Sequence, residues 1–130
     1  MLFGEGMIRS IGLDIVDISR IKRDIDLFGD RFIRRILGDK ERLIYNRRKD
    51  KEAFLAGRLA AKEAVIKGLA PFLQRRPPLN AIQIVNNSRG EPKLALPHGI
   101  QQSLGSAVCH LSLTHEKKYA AAVAIFAEGK

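Results

Sequence analysis

FLAGRLAAKEAVIKGL, residues 54–69, decides how the chain is read. At roughly 100° per residue, Phe54, Leu55, Leu59, Val65, Ile66 and Leu69 fill one broad sector of a helix, and Ala56, Gly57, Ala60, Ala61, Ala64 and Gly68 fill the opposite one. Neither sector is a solvent face. A helix apolar nearly all round is normally buried, and its small-residue side lets a sheet or a second helix come close. Arg58, Lys62, Glu63 and Lys67 interrupt it, and a buried charge without a partner is very costly. Glu63 and Lys67 stand four apart in the order that favours a helix ion pair. Two readings follow: a core helix with internal ion pairs, or a helix whose charges hold a metal ion and phosphates.

Upstream, IRSIGLDIV (residues 8–16) alternates Ile11, Leu13 and Ile15 against Gly12, Asp14 and Val16, the pattern of a strand. Asp14 is out of place there, since aspartate is depleted from strand interiors. Asp17 is better suited to cap the next helix, so Asp14 reads as a metal or hydrogen-bonding group. Ile18, Ile21, Ile25 and Phe28 then recur at helical spacing up to Gly29, with Arg20, Lys22 and Arg23 on the outer side. Asp30 is expected to cap a short helix that ends at Gly38, Asp39 to start another, and Asp50 to cap the central one.

Downstream, Pro71, Pro77 and Pro78 break regular structure. AIQIV (81–85) and KLAL (93–96) read as a hairpin across NNSRGEP, and Pro97 opens a short polar helix. VCHLSLTH (108–115) and YAAAVAIF (119–126) read as a second hairpin. The fold class expected is α+β, with an antiparallel sheet packed on a long central helix, in a single domain over residues 1–130. His115, at the turn of the second hairpin, reads on its own as a half-exposed turn histidine.

The chain has 130 residues, 23 Lys and Arg against 14 Asp and Glu, and a formal charge of +9, which calls for a polyanionic partner. Twelve of those 23 cations lie within residues 20–51, with six acids among them, so one region makes a basic face. No zinc-finger spacing, RNA-binding aromatic signature or GxGxxG fingerprint accompanies it, and a nucleic-acid module would not need acids in a strand and an apolar helix. A single cysteine, Cys109, excludes an intrachain disulfide and reads as a buried structural thiol. No run approaches the ~20 apolar residues of a membrane span. MLFGEGM at the start lacks the features of a secretion signal, and Met7 offers a second start. A soluble, cytoplasmic protein is expected.

Three stretches, IGLDIVDISRI (11–21), FLAGRLAAKEAVIKGL (54–69) and LSLTHEKKYAAAVAIF (111–126), resemble in order and spacing the motifs of the holo-acyl-carrier-protein synthases, the small bacterial type of 4′-phosphopantetheinyl transferase. RGEP (89–92) resembles that family's glycine-x-proline turn. The resemblance implies a 4′-phosphopantetheinyl transferase-like fold and Mg²⁺-dependent transfer of phosphopantetheine from coenzyme A to a serine of an apo acyl carrier protein. It implies that Asp14 and Glu63 hold Mg²⁺ on the coenzyme A pyrophosphate and that Lys67 contacts phosphate and eases departure of the nucleotide, with Glu63 and Lys62 beside it among the catalytic residues. Arg58, Lys62, Lys67, Gly90, Pro92 and His115 match positions near the substrate. Arg20 matches a carrier-docking position, with Arg23 and Arg31 as neighbours. A homotrimer with sites at subunit junctions is implied, with no nucleic acid and no membrane partner. Two departures stand out: Ala70-Pro71-Phe72 replaces the family's glycine-rich turn, and Thr114 replaces its serine before the histidine.

Overall fold

Alternation of side chains carries strand β1 over Ile8–Asp17; the computed structural model describes residues 4–129, so the first residues of MLFGEGM lie outside the described part. Asp17 ends the strand and caps helix α1 (Ile18–Phe28), its carboxylate accepting from the Ser19 amide at 2.9 Å. Gly29, at φ 58°, closes α1 by donating its amide to Ile25 O and also starts α2 (Asp30–Ile36). Asp30 is therefore the first helical residue and not the cap, because the sharp turn needs the positive φ of glycine. Helix α3 (Asp39–Arg47) leads to α4 (Lys51–Leu69). Asp50 does not cap α4 with its side chain. Arg48 takes both carboxylate oxygens at 2.7 Å and so holds the Asp50 carboxyl below its usual pKa.

A 3-10 turn at Ala70–Phe72 follows, then a second at Leu79–Ala81, strands β2 (Gln83–Asn86) and β3 (Pro92–Ala95), helix α5 (His98–Leu104), and strands β4 (Ala107–His115) and β5 (Tyr119–Glu128). The strands form two sheets. One is antiparallel with order β1-β5-β4, and the other is the β2-β3 hairpin. The expected class, α+β on a long central helix, is the observed one.

Helix α4 is buried along 13 of its 19 residues, which makes it the core and not a surface helix. Its small-residue sector lies on the sheet. Ala120, Ala122, Ala124 and Phe126 of β5 turn toward it and are buried, and Gly12 and Gly68 remove the last side chains between helix and strand. A Cβ at Gly12 would stand 1.7 Å from Ala64 O, and one at Gly68 would stand 2.4 Å from the Phe126 ring. The Ser10 hydroxyl donates to Gly68 O at the same seam. Phe72, in the 3-10 turn Ala70–Phe72, lies with its ring 5.8 Å from that of Phe126 at a tilt of 41°, and the Arg9 guanidinium is 5.1 Å from its centroid. That segment thus extends the core at the end of α4.

The other face of the larger sheet is apolar and open. Ile11, Leu13 and Ile15 are 57, 63 and 66% exposed. Val123 and Ile125, their partners on β5, are half-buried.

Candidate active site

Asp14 sits on the helix-facing side of β1, opposite Ala122 of β5. Lys67, from α4, donates to Asp14 Oδ1 at 2.9 Å and to Leu13 O at 2.8 Å. Glu63, one helical turn earlier, accepts from Arg76 Nη2 at 2.7 Å. The i,i+4 pair expected between Glu63 and Lys67 does not form, because β1 and the segment after α4 supply stronger partners across the fold. Each acid has a cation of the chain beside it, Lys67 for Asp14 and Arg76 for Glu63. Their side chains are 20 and 23% exposed, open enough for those cations to be exchanged.

Asp14 and Glu63 line one cleft, with Asp17, Arg20, Asp24, Phe32 and Leu59. Two carboxylates without histidine or cysteine are hard oxygen donors, suited to Mg²⁺. Among the described residues no group of three or more His, Cys, Asp or Glu converges, so an ion held here would take at most two protein carboxylates and keep positions for phosphate and water. The donor set fits the ion.

Arg20 opens onto this same cleft, 74% exposed, with Asp24 at 4.0 Å. Arg31 lines an adjoining hollow with Asp24, Phe28, Phe32 and Arg35. Arg23 is exposed on α1.

A second cleft, about 300 Å³, is lined by Arg48, Phe54, Gly57, Arg58, Asn86, Gly90, Pro92, Leu113 and His115. Gly90, at φ 82°, forms the turn of the β2-β3 hairpin. Pro92 begins β3 and His115 ends β4, exposed. Arg58 is only 5% exposed, and its Nε and Nη2 have no hydrogen-bond partner. Its guanidinium lies 4.6 Å from the Phe54 ring centroid. Burial and the neighbouring Arg48 pull its pKa down, against Glu41, yet a guanidinium stays charged in proteins. A buried cation with idle donors in the lining of a cleft has the chemistry to attract an anion.

The two clefts share no residue. Arg58 and Glu63 are five residues apart on α4, roughly 140° around the helix axis. One chain therefore does not bring His115, Gly90 and Pro92 to Asp14 and Glu63.

Lys62 departs from its expected place. It is fully buried, donating to Glu41 Oε1, to Ile36 O and to Leu79 O at 3.1 Å, and it lines neither cleft. Desolvation lowers its pKa and Glu41 opposes that. Contact with substrate is ruled out for it by burial, so its part is to hold the fold under the site.

Sequence reasoning missed Glu41 and Arg76. Glu41 carried a signal, a glutamate at the third position of a helix accepting from the amide before it, Gly38 N at 3.0 Å. Arg76 carried none, since nothing in its surroundings announces a return to α4. Cys109 is part-buried, its thiol pushed up to about 12 by desolvation, which removes it as a nucleophile.

An acid pair beside a lysine, and a buried guanidinium facing a second cleft, are the equipment of a protein that handles phosphorylated substrates. The chain belongs to the 4′-phosphopantetheinyl transferase superfamily, whose family model matches residues 10–124. Within it, the chain is similar to the holo-[acyl-carrier-protein] synthase of Chlamydia trachomatis serovar D, 36% identical over 115 residues, covering 88% of this chain and 96% of that one. Among solved structures it is similar to the Neisseria meningitidis holo-[acyl-carrier-protein] synthase (TM-score 0.85, 30% identity, 94% of this chain and 100% of that chain). A Bacillus anthracis holo-(acyl-carrier-protein) synthase in complex with CoA (3′,5′-ADP) also matches (TM-score 0.78, 32% identity, 95% and 99%).

Proposed function

We propose that the protein transfers the 4′-phosphopantetheine group of coenzyme A to a serine of an apo acyl carrier protein. The serine oxygen bonds to the phosphorus that carries pantetheine as its hydroxyl proton passes to water. The bond from that phosphorus to the bridging oxygen breaks, and adenosine 3′,5′-bisphosphate leaves. Membership of the family, with relatives named for this activity over nearly their whole length, carries the reading. The cleft chemistry supports it. Asp14 and Glu63 would hold Mg²⁺, which when bound neutralises pyrophosphate charge. Lys67, 54% exposed and beside Asp14, is placed to follow the charge that gathers on the departing phosphate, the main demand of phosphoryl transfer. Arg58, Gly90, Pro92 and His115 would receive the nucleotide end of coenzyme A. Among the described residues no helix is long and apolar enough to cross a membrane, which agrees with a cytoplasmic setting for this substrate pair. Incubation with coenzyme A, Mg²⁺ and an apo carrier protein should raise the carrier's intact mass by one phosphopantetheine. No mass shift with a carrier that an authentic synthase modifies would overturn the proposal.

The family resemblance implies a homotrimer in which the His115 cleft of one subunit meets the Asp14 cleft of the next, and the two separate clefts and the open sheet face are consistent with subunit contact. Exposed apolar surface of this kind is what subunit contacts bury. Mixing Asp14→Ala with His115→Ala chains should restore activity, since some junctions then combine an intact copy of each. Verified mixed oligomers with no recovery, or an active monomer by ultracentrifugation, would refute the shared site.

The face of α1 beside the Asp14 cleft is the proposed carrier dock, centred on Arg20 with Arg23 and Arg31 near it. Exposed charges act over ~8 Å at physiological salt and govern encounter more than chemistry. Arg20→Glu should raise the carrier KM by about tenfold and leave the coenzyme A KM unchanged, with the rate falling as salt rises. An unchanged carrier KM with salt-independent turnover would eliminate the dock. Tight, salt-sensitive binding of unrelated nucleic acid would point instead to a nucleic-acid face.

A further inference from the structure

Beneath the second cleft lies a buried cluster that the reaction itself does not use. Glu41 is 0% exposed. Its Oε1 accepts from Gly38 N at 3.0 Å and from Lys62 Nζ, and its Oε2 accepts from Ile84 N at 3.1 Å. The same Oε2 lies 3.8 Å from Arg58 Nε, beyond a hydrogen bond but within reach of its charge. One carboxylate thus faces two buried cations. Its hydrogen bonds go to Lys62 and to two backbone amides, and Arg58 is held by attraction alone, with donors left over. Ile84 belongs to β2, the strand whose hairpin carries Gly90 and Pro92. Glu41 therefore touches both walls of the cleft: Arg58 on α4, and the hairpin through Ile84.

We infer that Glu41 is a positioning residue for anion binding in this cleft, fixing the Arg58 guanidinium and the Gly90–Pro92 wall relative to one another; the inference rests on the reading of the cleft as the nucleotide end of the coenzyme A site. A glutamine at 41 has the same shape but turns an NH₂ toward either Lys62 or the Ile84 amide, so a donor meets a donor, and Arg58 loses the counter-charge 3.8 Å from its Nε. Unsatisfied buried groups relax, and the guanidinium shifts in the cleft. Chemistry at Asp14 and Glu63, on the other side of α4, is not touched.

The test is a double-mutant cycle on E41Q and R58Q, reading the coenzyme A KM, kcat and the affinity for adenosine 3′,5′-bisphosphate by calorimetry. E41Q is expected to raise the KM and weaken the nucleotide by about tenfold, the size of one lost charge-assisted contact, with kcat within about twofold. In the R58Q background E41Q should add much less than it does alone, because most of its effect passes through Arg58. Should E41Q not fold, E41Q/K62M, which leaves no buried lysine without its counter-charge, reads the same quantities. R58Q without effect on the KM would overturn the cleft assignment and this inference together. R58Q with the expected effect but E41Q lowering only kcat or the melting temperature, additive effects in the cycle, or loss of the fold in both Glu41 variants would overturn the inference alone and leave the cleft assignment standing.

Discussion

Asp14→Ala and Glu63→Ala should each lower phosphopantetheine transfer on the order of 10³-fold while the protein stays folded, because positioned charge is the main source of rate in phosphoryl transfer. Of the four acids that line the cleft, Asp14 on β1 and Glu63 on α4 are the two proposed to hold the ion. Removing either leaves a hard cation with one protein ligand. The stability cost is small by the same geometry. The Asp14–Lys67 and Glu63–Arg76 pairs have partners 54 and 61% exposed, and pairs so open to water contribute roughly 0–1 kcal/mol. A rise in melting temperature is not expected either, since Lys67 and Arg76 already offset the acids and no repulsion is relieved. Initial rates across a Mg²⁺ series, with calorimetric metal titration of each folded variant, check this. Near-normal turnover at limiting Mg²⁺ would remove the metal assignment, whereas loss of turnover with unaltered metal affinity would move both acids from metal binding to another role.

Much of this site was legible in one dimension because its members sit in elements with strong periodicity. Asp14 stood out as an acid in an alternating strand, and α4 stood out as a helix with no polar face. What the sequence could not say is which way each charge on α4 would turn. Arg58, Lys62, Glu63 and Lys67 lie within ten residues, yet Arg58 lines the second cleft, Lys62 is buried on Glu41, Glu63 lines the acid cleft and Lys67 reaches Asp14 from outside that lining. Rotation of the helix against the sheet decides this, and it is fixed by the small residues at the seam. The local rule that pairs Glu63 with Lys67 was overridden by Leu13 O and Asp14, contacts separated by more than fifty residues. The burial of Glu41 was hidden for a related reason, although its place at the third position of a helix was legible. On paper it belongs to a charged surface helix, and only the arrival of β2 from 43 residues away encloses it. Strand ends moved for milder causes: β2 starts at Gln83 because a 3-10 turn consumes Ala81, and β3 starts at Pro92, whose missing amide an edge position tolerates.

Gly12→Ala is expected to have the largest effect on stability of any single methyl added to this chain. Its Cβ would stand 1.7 Å from Ala64 O, 2.7 Å from Ala64 C and 2.9 Å from Gly68 N, all of them backbone atoms of α4. No rotamer relieves such a clash, so β1 or α4 must move bodily. Both are clamped. β1 is paired along its length with β5, and α4 is pinned on its far side by Glu41, through Lys62, and at its end by Phe126 under Gly68. Overpacking a core by a methylene that can be accommodated costs about 1–3 kcal/mol, and one that meets backbone exceeds that range. For a domain of this size the loss corresponds to a melting temperature lower by on the order of 10 °C or more. Gly99→Ala is the control, since nothing lies within 4 Å of its Cβ and it sits in α5; alanine there should raise stability by roughly 0.5–1 kcal/mol. Thermal melts of both proteins decide the matter. A Gly12→Ala protein that melts within about 2 °C of the parent would mean that α4 does not lie against β1 at this distance, and the approach of Lys67 to Asp14, which depends on the same seam, would fall with it.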